Sequence, residues 1–113
     1  MSYDGYLQVD TGFEHPVTVI ELGNMTSNVA PMWGHALEMA GEDIRLSDTE
    51  GRRAADVLPL LRAAVQHMED NPGTYRAMNP PNGWGDYESA LAYLRNVAEQ
   101  CAAHPKTTLH WWV

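Results

Sequence analysis

The pattern of apolar and polar residues predicts two strands at the start of the chain. In the segment 3–10, apolar positions alternate with polar ones, as in a strand with one buried face. The triplet Asp10-Thr11-Gly12 then signals a turn, and the β-branched segment 17–20 predicts a second strand that forms a hairpin with the first. We expect the pair Gly23-Asn24 to end this second strand.

Apolar residues in the next segment recur at steps of three and four, which predicts a first helix between Thr26 and Gly41. Thr26 or Ser27 can cap this helix, and Gly41 can end it. Because Pro31 has no backbone donor, we expect the helix to start irregularly. A polar connection, 41–51, follows, and its two apolar residues are expected to hold it to the core.

Two further helices and a last strand complete the chain. The second helix carries an apolar stripe from Ala54 to Met68, and Pro59 marks either a kink in it or its true start. The third helix opens at Asp86, a favourable N-cap, and carries the clearest apolar stripe of the chain. The β-branched and aromatic tail, 106–113, predicts the final strand.

The element order β-β-α-α-α-β predicts an α+β fold, in which a small antiparallel sheet packs against three helices. We expect the last strand to return beside the first two and the helices to cover one face of the sheet. One short helical turn is expected within 73–78, between the second and third helices. The segment 1–113 is predicted to form a single domain.

Composition narrows the class of protein. A chain of 113 residues with 44% hydrophobic residues and four Trp is expected to fold alone, without a disulfide, since it has one cysteine. No segment approaches the ~20 apolar residues of a membrane span, and no secretion signal is recognisable, so we predict a cytoplasmic protein with no membrane partner. The formal charge of −8 argues against nucleic acid as a partner.

No motif in the sequence specifies a cofactor or a reaction. The five histidines fall in different predicted elements without metal-ligand spacing, so neither a metal nor another cofactor is expected. Cys101 lies on the apolar stripe of the third helix, where a cysteine behaves as a small hydrophobic residue. Asp86, Tyr87 and Glu88 are the candidates for proton transfer, but their spacing points to no particular chemistry. We therefore favour a noncatalytic protein over an enzyme.

Two polar segments beside helix starts form the candidate ligand-binding site. Helix N-termini present unpaired backbone donors, and Trp84 offers a surface for stacking. The candidate residues are Asn24, Thr26, Asn28, Asn79, Asn82, Trp84 and Tyr87. We expect them to form an amide-rich cleft between the first and third helices for a small polar ligand or a peptide. The alternative is structural: the Asn and Gly residues shape turns, and both aromatic residues pack in the core.

These segments also carry a resemblance. The element Asn79-Pro80-Pro81-Asn82-Gly83-Trp84-Gly85-Asp86-Tyr87-Glu88 combines with Asn24-Met25-Thr26-Ser27-Asn28 and with Cys101-Ala102-Ala103-His104-Pro105. Together they resemble a set of small uncharacterised proteins from bacteria and their phages. The similarity runs over most of the chain and is weaker in the hairpin and in 41–51. The resemblance implies that the candidate residues are a shared feature, and it implies no activity.

The second hypothesis is a protein-interaction role for the sheet. Along the final strand the faces alternate, with Leu109, Trp111 and Val113 on one side and His110 and Trp112 on the other. Only one face of the sheet meets the helices, so we expect an indole to be exposed beside Tyr6. Homodimerisation is the simplest use of such an aromatic face. If the chain is encoded by a phage, a host protein is another partner.

Overall fold

A computed structural model of the protein describes residues 1–10, 12 and 15–113. A three-stranded antiparallel sheet packs against helices through a shared apolar core. Its strands are β1 (Ser2–Val9), β2 (Val17–Thr26) and β3 (Thr108–Trp112), in the spatial order β2-β1-β3. The last strand thus returns beside β1, and the predicted α+β fold class is confirmed.

The described residues form four α-helices and two short 3₁₀ helices. The α-helices are α1 (Ala30–Met39), α2 (Ala54–Asp70), α3 (Pro72–Arg76) and α4 (Tyr87–Ala103). The 3₁₀ helices, Ser27–Val29 and Leu46–Thr49, were not predicted. Helices α1, α2 and α4 are the three that periodicity predicts, and α3 is the short turn expected before α4. No helix within the described ranges has the length and apolar character needed to cross a membrane.

Strand β2 continues past Gly23-Asn24, which we expected to end it. The register pairs Gly23 with Gly5 and extends to a pair between Thr26 and Ser2. Two register shifts along the hairpin each leave one extra residue in β2. Gly23 has a φ of 87°, which glycine adopts without a steric penalty. The expected end was wrong because this glycine lies at a bulge, which bends a strand without stopping it.

The turn predicted between β1 and β2 is partly described. Thr11 lies outside the described residues. Gly12 has a φ of 78°, and its backbone N–H donates to the Asp10 carboxylate at 2.9 Å. These two flanking residues have the geometry that Asp and Gly favour in turns.

Local signals explain how α1 begins. The Thr26 side chain caps the 3₁₀ helix that precedes α1, and Pro31 lies in the first turn of α1, where its missing donor has no partner to lose. The predicted irregular start of α1 is therefore confirmed. Helix α2 begins at Ala54 and runs through Pro59, so the alternative that Pro59 starts the helix was wrong.

The core is organised around the buried side chain of Trp33. Its indole N–H donates to the Ala90 carbonyl of α4 at 3.0 Å. Its ring lies 5.1 Å from the ring of Tyr3 in β1 and 5.5 Å from that of Tyr93 in α4, measured between centroids. One side chain of α1 thus contacts both the sheet and α4.

The segment that precedes α2 covers the free edge of β3. Leu109 accepts a backbone hydrogen bond from Gly51 at 2.7 Å and donates one to Arg52 at 2.9 Å. The backbone N–H of Trp111 donates to the Glu50 carboxylate at 2.7 Å. Because these groups are already paired, this edge does not offer a continuous row of partners to another strand.

Asp86 gives the start of α4 a pH dependence. Its carboxylate accepts a hydrogen bond from the Ser89 N–H at 2.8 Å, and hydrogen bonding to Ser89 holds the pKa of the carboxyl below its ordinary value. Because the pKa is lower in the folded state than in the unfolded state, this stabilisation is present at neutral pH and is lost as the pH falls through the folded-state pKa. We expect Asp86→Ala to unfold at a lower urea concentration than the wild type near neutral pH.

Below about pH 5, we expect the difference in stability between the wild type and Asp86→Ala to shrink progressively. Urea unfolding followed by circular dichroism across this range measures it. Asp86→Asn is the control, because it keeps a side-chain acceptor but has no charge to titrate. A difference between wild type and Asp86→Asn that does not change with pH would contradict the assignment.

Candidate functional site

Four of the seven candidate residues meet at one end of the hairpin. They line a recess of about 310 Å³ whose walls are Met1, Ser2, Asn24, Thr26, Asn28 and Trp84. We call this the Trp84 recess. The two polar segments therefore meet in space, at the end of the hairpin and just before α1. The cleft was expected elsewhere, between α1 and α4, which are the first and third predicted helices.

The Trp84 recess opens on the face of the sheet that points away from the helices. Along β1 the odd positions from Tyr3 to Leu7 are buried, and the even positions are only half-buried. The even positions of β1 and their register partners define what we call the outer face: Ser2, Asp4, Tyr6 and Gln8 of β1, Thr18, Glu21, Asn24 and Thr26 of β2, and Thr108, His110 and Trp112 of β3. Ser2, Asn24 and Thr26 thus belong both to this face and to the recess.

Gly85 brings the loop of Trp84 against the start of α1. It has a φ of 91°, and a Cβ at this position would lie 2.7 Å from Val29 Cγ1 and 2.8 Å from Thr26 Cγ2. The bare backbone at Gly85 therefore packs directly on the turn that precedes α1. Next to it, the Trp84 side chain is 67% exposed, so the alternative that Trp84 fills the core was wrong.

The amide groups of the recess are held in place by neighbouring side chains. Asn28 Nδ2 donates to Thr26 Oγ1 at 3.0 Å, and Asn24 Nδ2 donates to the Asp4 carboxylate at 3.0 Å. Both bonds use the amide nitrogens, so the two amide oxygens are the acceptors that remain for a ligand. The neighbouring Ser27 hydroxyl is buried and has no hydrogen-bond partner within the part of the chain that the structure describes.

The other three candidate residues are used by the fold. Asn79 Oδ1 accepts from the Tyr87 N–H at 2.8 Å, and Asn82 Oδ1 accepts from the Trp84 N–H at 3.0 Å. Tyr87 is buried, and its hydroxyl donates to the Met68 carbonyl at 2.7 Å. These contacts shape the loop and anchor α4, and none of the three side chains lines the recess.

Each residue considered for proton transfer makes a structural contact. Asp86 caps α4, Tyr87 is buried, and Glu88 accepts from Arg76 Nε at 3.0 Å. Cys101 is fully buried, as predicted from its place on the apolar stripe. Burial raises the pKa of its thiol to about 11, so the thiol is protonated at neutral pH.

The structure also brings together two histidines that are far apart in the sequence. The ring centroids of His35 in α1 and His67 in α2 lie 5.9 Å apart, and both rings contact Tyr75. The Tyr75 oxygen lies 2.6 Å from His67 Nδ1, and burial raises the pKa of this phenol to about 12, so it stays protonated at neutral pH. Among the residues described, no group of three or more His, Cys, Asp or Glu side chains is placed to hold a metal ion.

The outer face carries a second exposed indole. Trp112 is 76% exposed, whereas Leu109 and Trp111 pack on the core, so the predicted alternation along β3 is confirmed at these positions. A further recess of about 310 Å³ lies next to this indole. Its walls are Tyr6, Gln8, Thr18, Glu50, His110, Trp111 and Trp112.

Comparison with known proteins found no matching family model, no matching curated protein and no matching solved structure. The resemblance to small proteins of bacteria and phages stays a prediction that rests on the segment 79–88 and its two companion segments. The roles of the candidate residues are therefore argued from their geometry.

Alanine substitutions at Gly83 and Gly85 test how the loop that carries Trp84 packs on the start of α1. Gly83 and Gly85 both have positive φ, so an alanine at either one costs about 1–2 kcal/mol. A methyl group at Gly83 would point into open space, with no contact within 4 Å beyond its chain neighbours, whereas at Gly85 it also collides with Thr26 and Val29. We expect Gly85→Ala to lower the free energy of unfolding by about 3 kcal/mol.

Gly83→Ala is the matched control, with an expected loss limited to the conformational cost of about 1–2 kcal/mol. Urea unfolding of both variants measures the difference. Equal losses would mean that the loop does not rest on the start of α1.

Proposed function

We propose that the protein is a noncatalytic binding module whose Trp84 recess holds a small polar ligand or a peptide segment. The observation that carries this proposal is the Trp84 indole, which stands 67% exposed beside two oriented amides. An indole in solvent forgoes the stabilisation that burial of its large apolar surface would provide. A ligand that covers the ring recovers part of that free energy.

The walls of the recess suggest the chemistry of the ligand. Its six lining residues include no Lys, Arg, Asp or Glu. The indole can stack on a planar group, the oxygens of Asn24 and Asn28 can accept hydrogen bonds, and the Thr26 hydroxyl can donate one. These features favour a ligand that carries N–H or O–H donors, such as an amide or a peptide group.

A second candidate function is protein interaction through the outer face. Trp112 is 76% exposed there, and Tyr6 lines the recess beside it. Homodimerisation is the simplest form of this function, and a host partner follows if the resemblance to phage proteins holds. In either form we place the protein in the cytoplasm, because its one cysteine is buried and the fold uses no disulfide among the described residues.

Replacement of Trp84 tests the first candidate function. We expect native mass spectrometry of the gently purified protein to show a ligand-bound species beside the mass of the bare chain. In Trp84→Ala this species should be lost, because the stacking surface is gone. The fold should survive, since Trp84 is largely exposed. The urea midpoint of Trp84→Ala should therefore equal that of the wild type within error.

Trp112→Ala is the matched control, because it removes a similarly exposed indole outside the recess. It should keep the bound species. A ligand that persists in Trp84→Ala, or that is lost equally in both variants, would contradict the assignment to the Trp84 recess.

A further inference from the structure

We propose that the outer face of the sheet binds a basic, extended segment of a partner protein. This inference rests on the second candidate function and names its partner class. It concerns Tyr6, Trp112 and the carboxylates around them, which adjoin the Trp84 recess at Asn24.

Acidic side chains line the two recesses on either side of Tyr6, and none of the residues that line these recesses is a Lys or Arg. Glu50 lines the recess beside Trp112, Asp4 and Glu21 line the adjoining recess, and Tyr6 is shared by the two. Four of the arginines are paired with carboxylates elsewhere on the molecule. His110, the one imidazole in these recesses, is bonded to Glu50. The local charge is therefore complementary to a cation.

Two aromatic rings stand among these carboxylates. Trp112 is the register partner of Asp4 and is 76% exposed, and Tyr6 separates the two recesses. A guanidinium or ammonium group over such a ring gains about 0.5–1 kcal/mol at an exposed site. Arg in particular can stack on an indole while its fork of donors reaches a carboxylate. Aromatic rings interleaved with carboxylates thus suit Lys and Arg side chains.

The shape of the surface favours an extended segment. The two recesses meet at Tyr6, and the second of them meets the Trp84 recess at Asn24. The outer positions of β1, from Ser2 to Gln8, span about 20 Å at the rise of a strand. A single small molecule does not cover this length, whereas an extended segment of about six residues does.

The same charges argue against a second copy of the chain as the occupant. In a two-fold dimer a surface patch meets itself, so the three carboxylates of one copy would face those of the other. Like charges brought together at an interface disfavour association. A basic partner meets no such repulsion, and the net charge of −8 also accelerates its approach.

Titration of the isotope-labelled full chain with a capped peptide that alternates arginine and serine tests the proposal. The four indole N–H signals in the nuclear magnetic resonance spectrum report on separate regions, because Trp33 is buried and Trp112 is exposed. We expect the Trp112 signal to shift and the Trp33 signal to stay in place. A peptide with glutamate in place of arginine should leave both unchanged, and added salt should weaken binding of the arginine peptide.

Substitutions identify the surface that binds. We expect Trp112→Ala to weaken binding of the arginine peptide about fivefold, which corresponds to the loss of one cation–π contact. The double variant Asp4→Asn with Glu21→Gln should weaken it about tenfold or more. The control is Glu38→Gln with Asp56→Asn, which removes the same charge from α1 and α2 and should change binding by less than about twofold.

Three results would overturn the proposal. The first is equal weakening in the control double variant, which would mean general attraction to an acidic protein. The second is a shift of the Trp84 signal alone, which would place the peptide in the other recess. The third is a dimer in sedimentation velocity that dissociates in Trp112→Ala, which would keep the second candidate function but make a second copy the occupant. The ligand test with Trp84→Ala is independent of all three.

Discussion

The buried indole of Trp33 determines how the layers of this protein are held together. From its position in α1 it packs on Tyr3 of the sheet and on Tyr93, and it donates a hydrogen bond to the Ala90 carbonyl of α4. A buried donor left without its acceptor is costly, so this bond restricts how α1 and α4 can move relative to each other. The loops that precede these two helices therefore arrive at the same end of the sheet.

That convergence produces the Trp84 recess. The close approach of Gly85 to the residues before α1 leaves no room for a side chain, and the indole of Trp84 is directed away from the core. Trp33 and Trp84 thus illustrate two opposite uses of one residue type. The first contributes to stability through burial and a satisfied N–H group, whereas the second contributes little to stability and is available to a ligand.

The two candidate surfaces adjoin, but they differ in the charge of their side chains. The Trp84 recess has no charged side chain in its walls, whereas the adjoining outer face presents carboxylates around Tyr6 and Trp112. A donor-rich ligand suits the former, and a cationic segment suits the latter. One face of the sheet therefore presents two chemically different surfaces side by side.

Local patterns in the chain were enough to predict the apolar stripes of α1, α2 and α4, the Asp86 cap and the alternation along β3. These depend on residues within a turn or two of one another. The length of β2, the approach of His35 to His67 and the choice of amides that line a recess depend instead on how distant segments pack together. Asn28 and Asn82 have the same chemistry, but one lies beside an open recess and the other closes a turn. That difference depends on contacts between segments far apart in the chain, which no local pattern records.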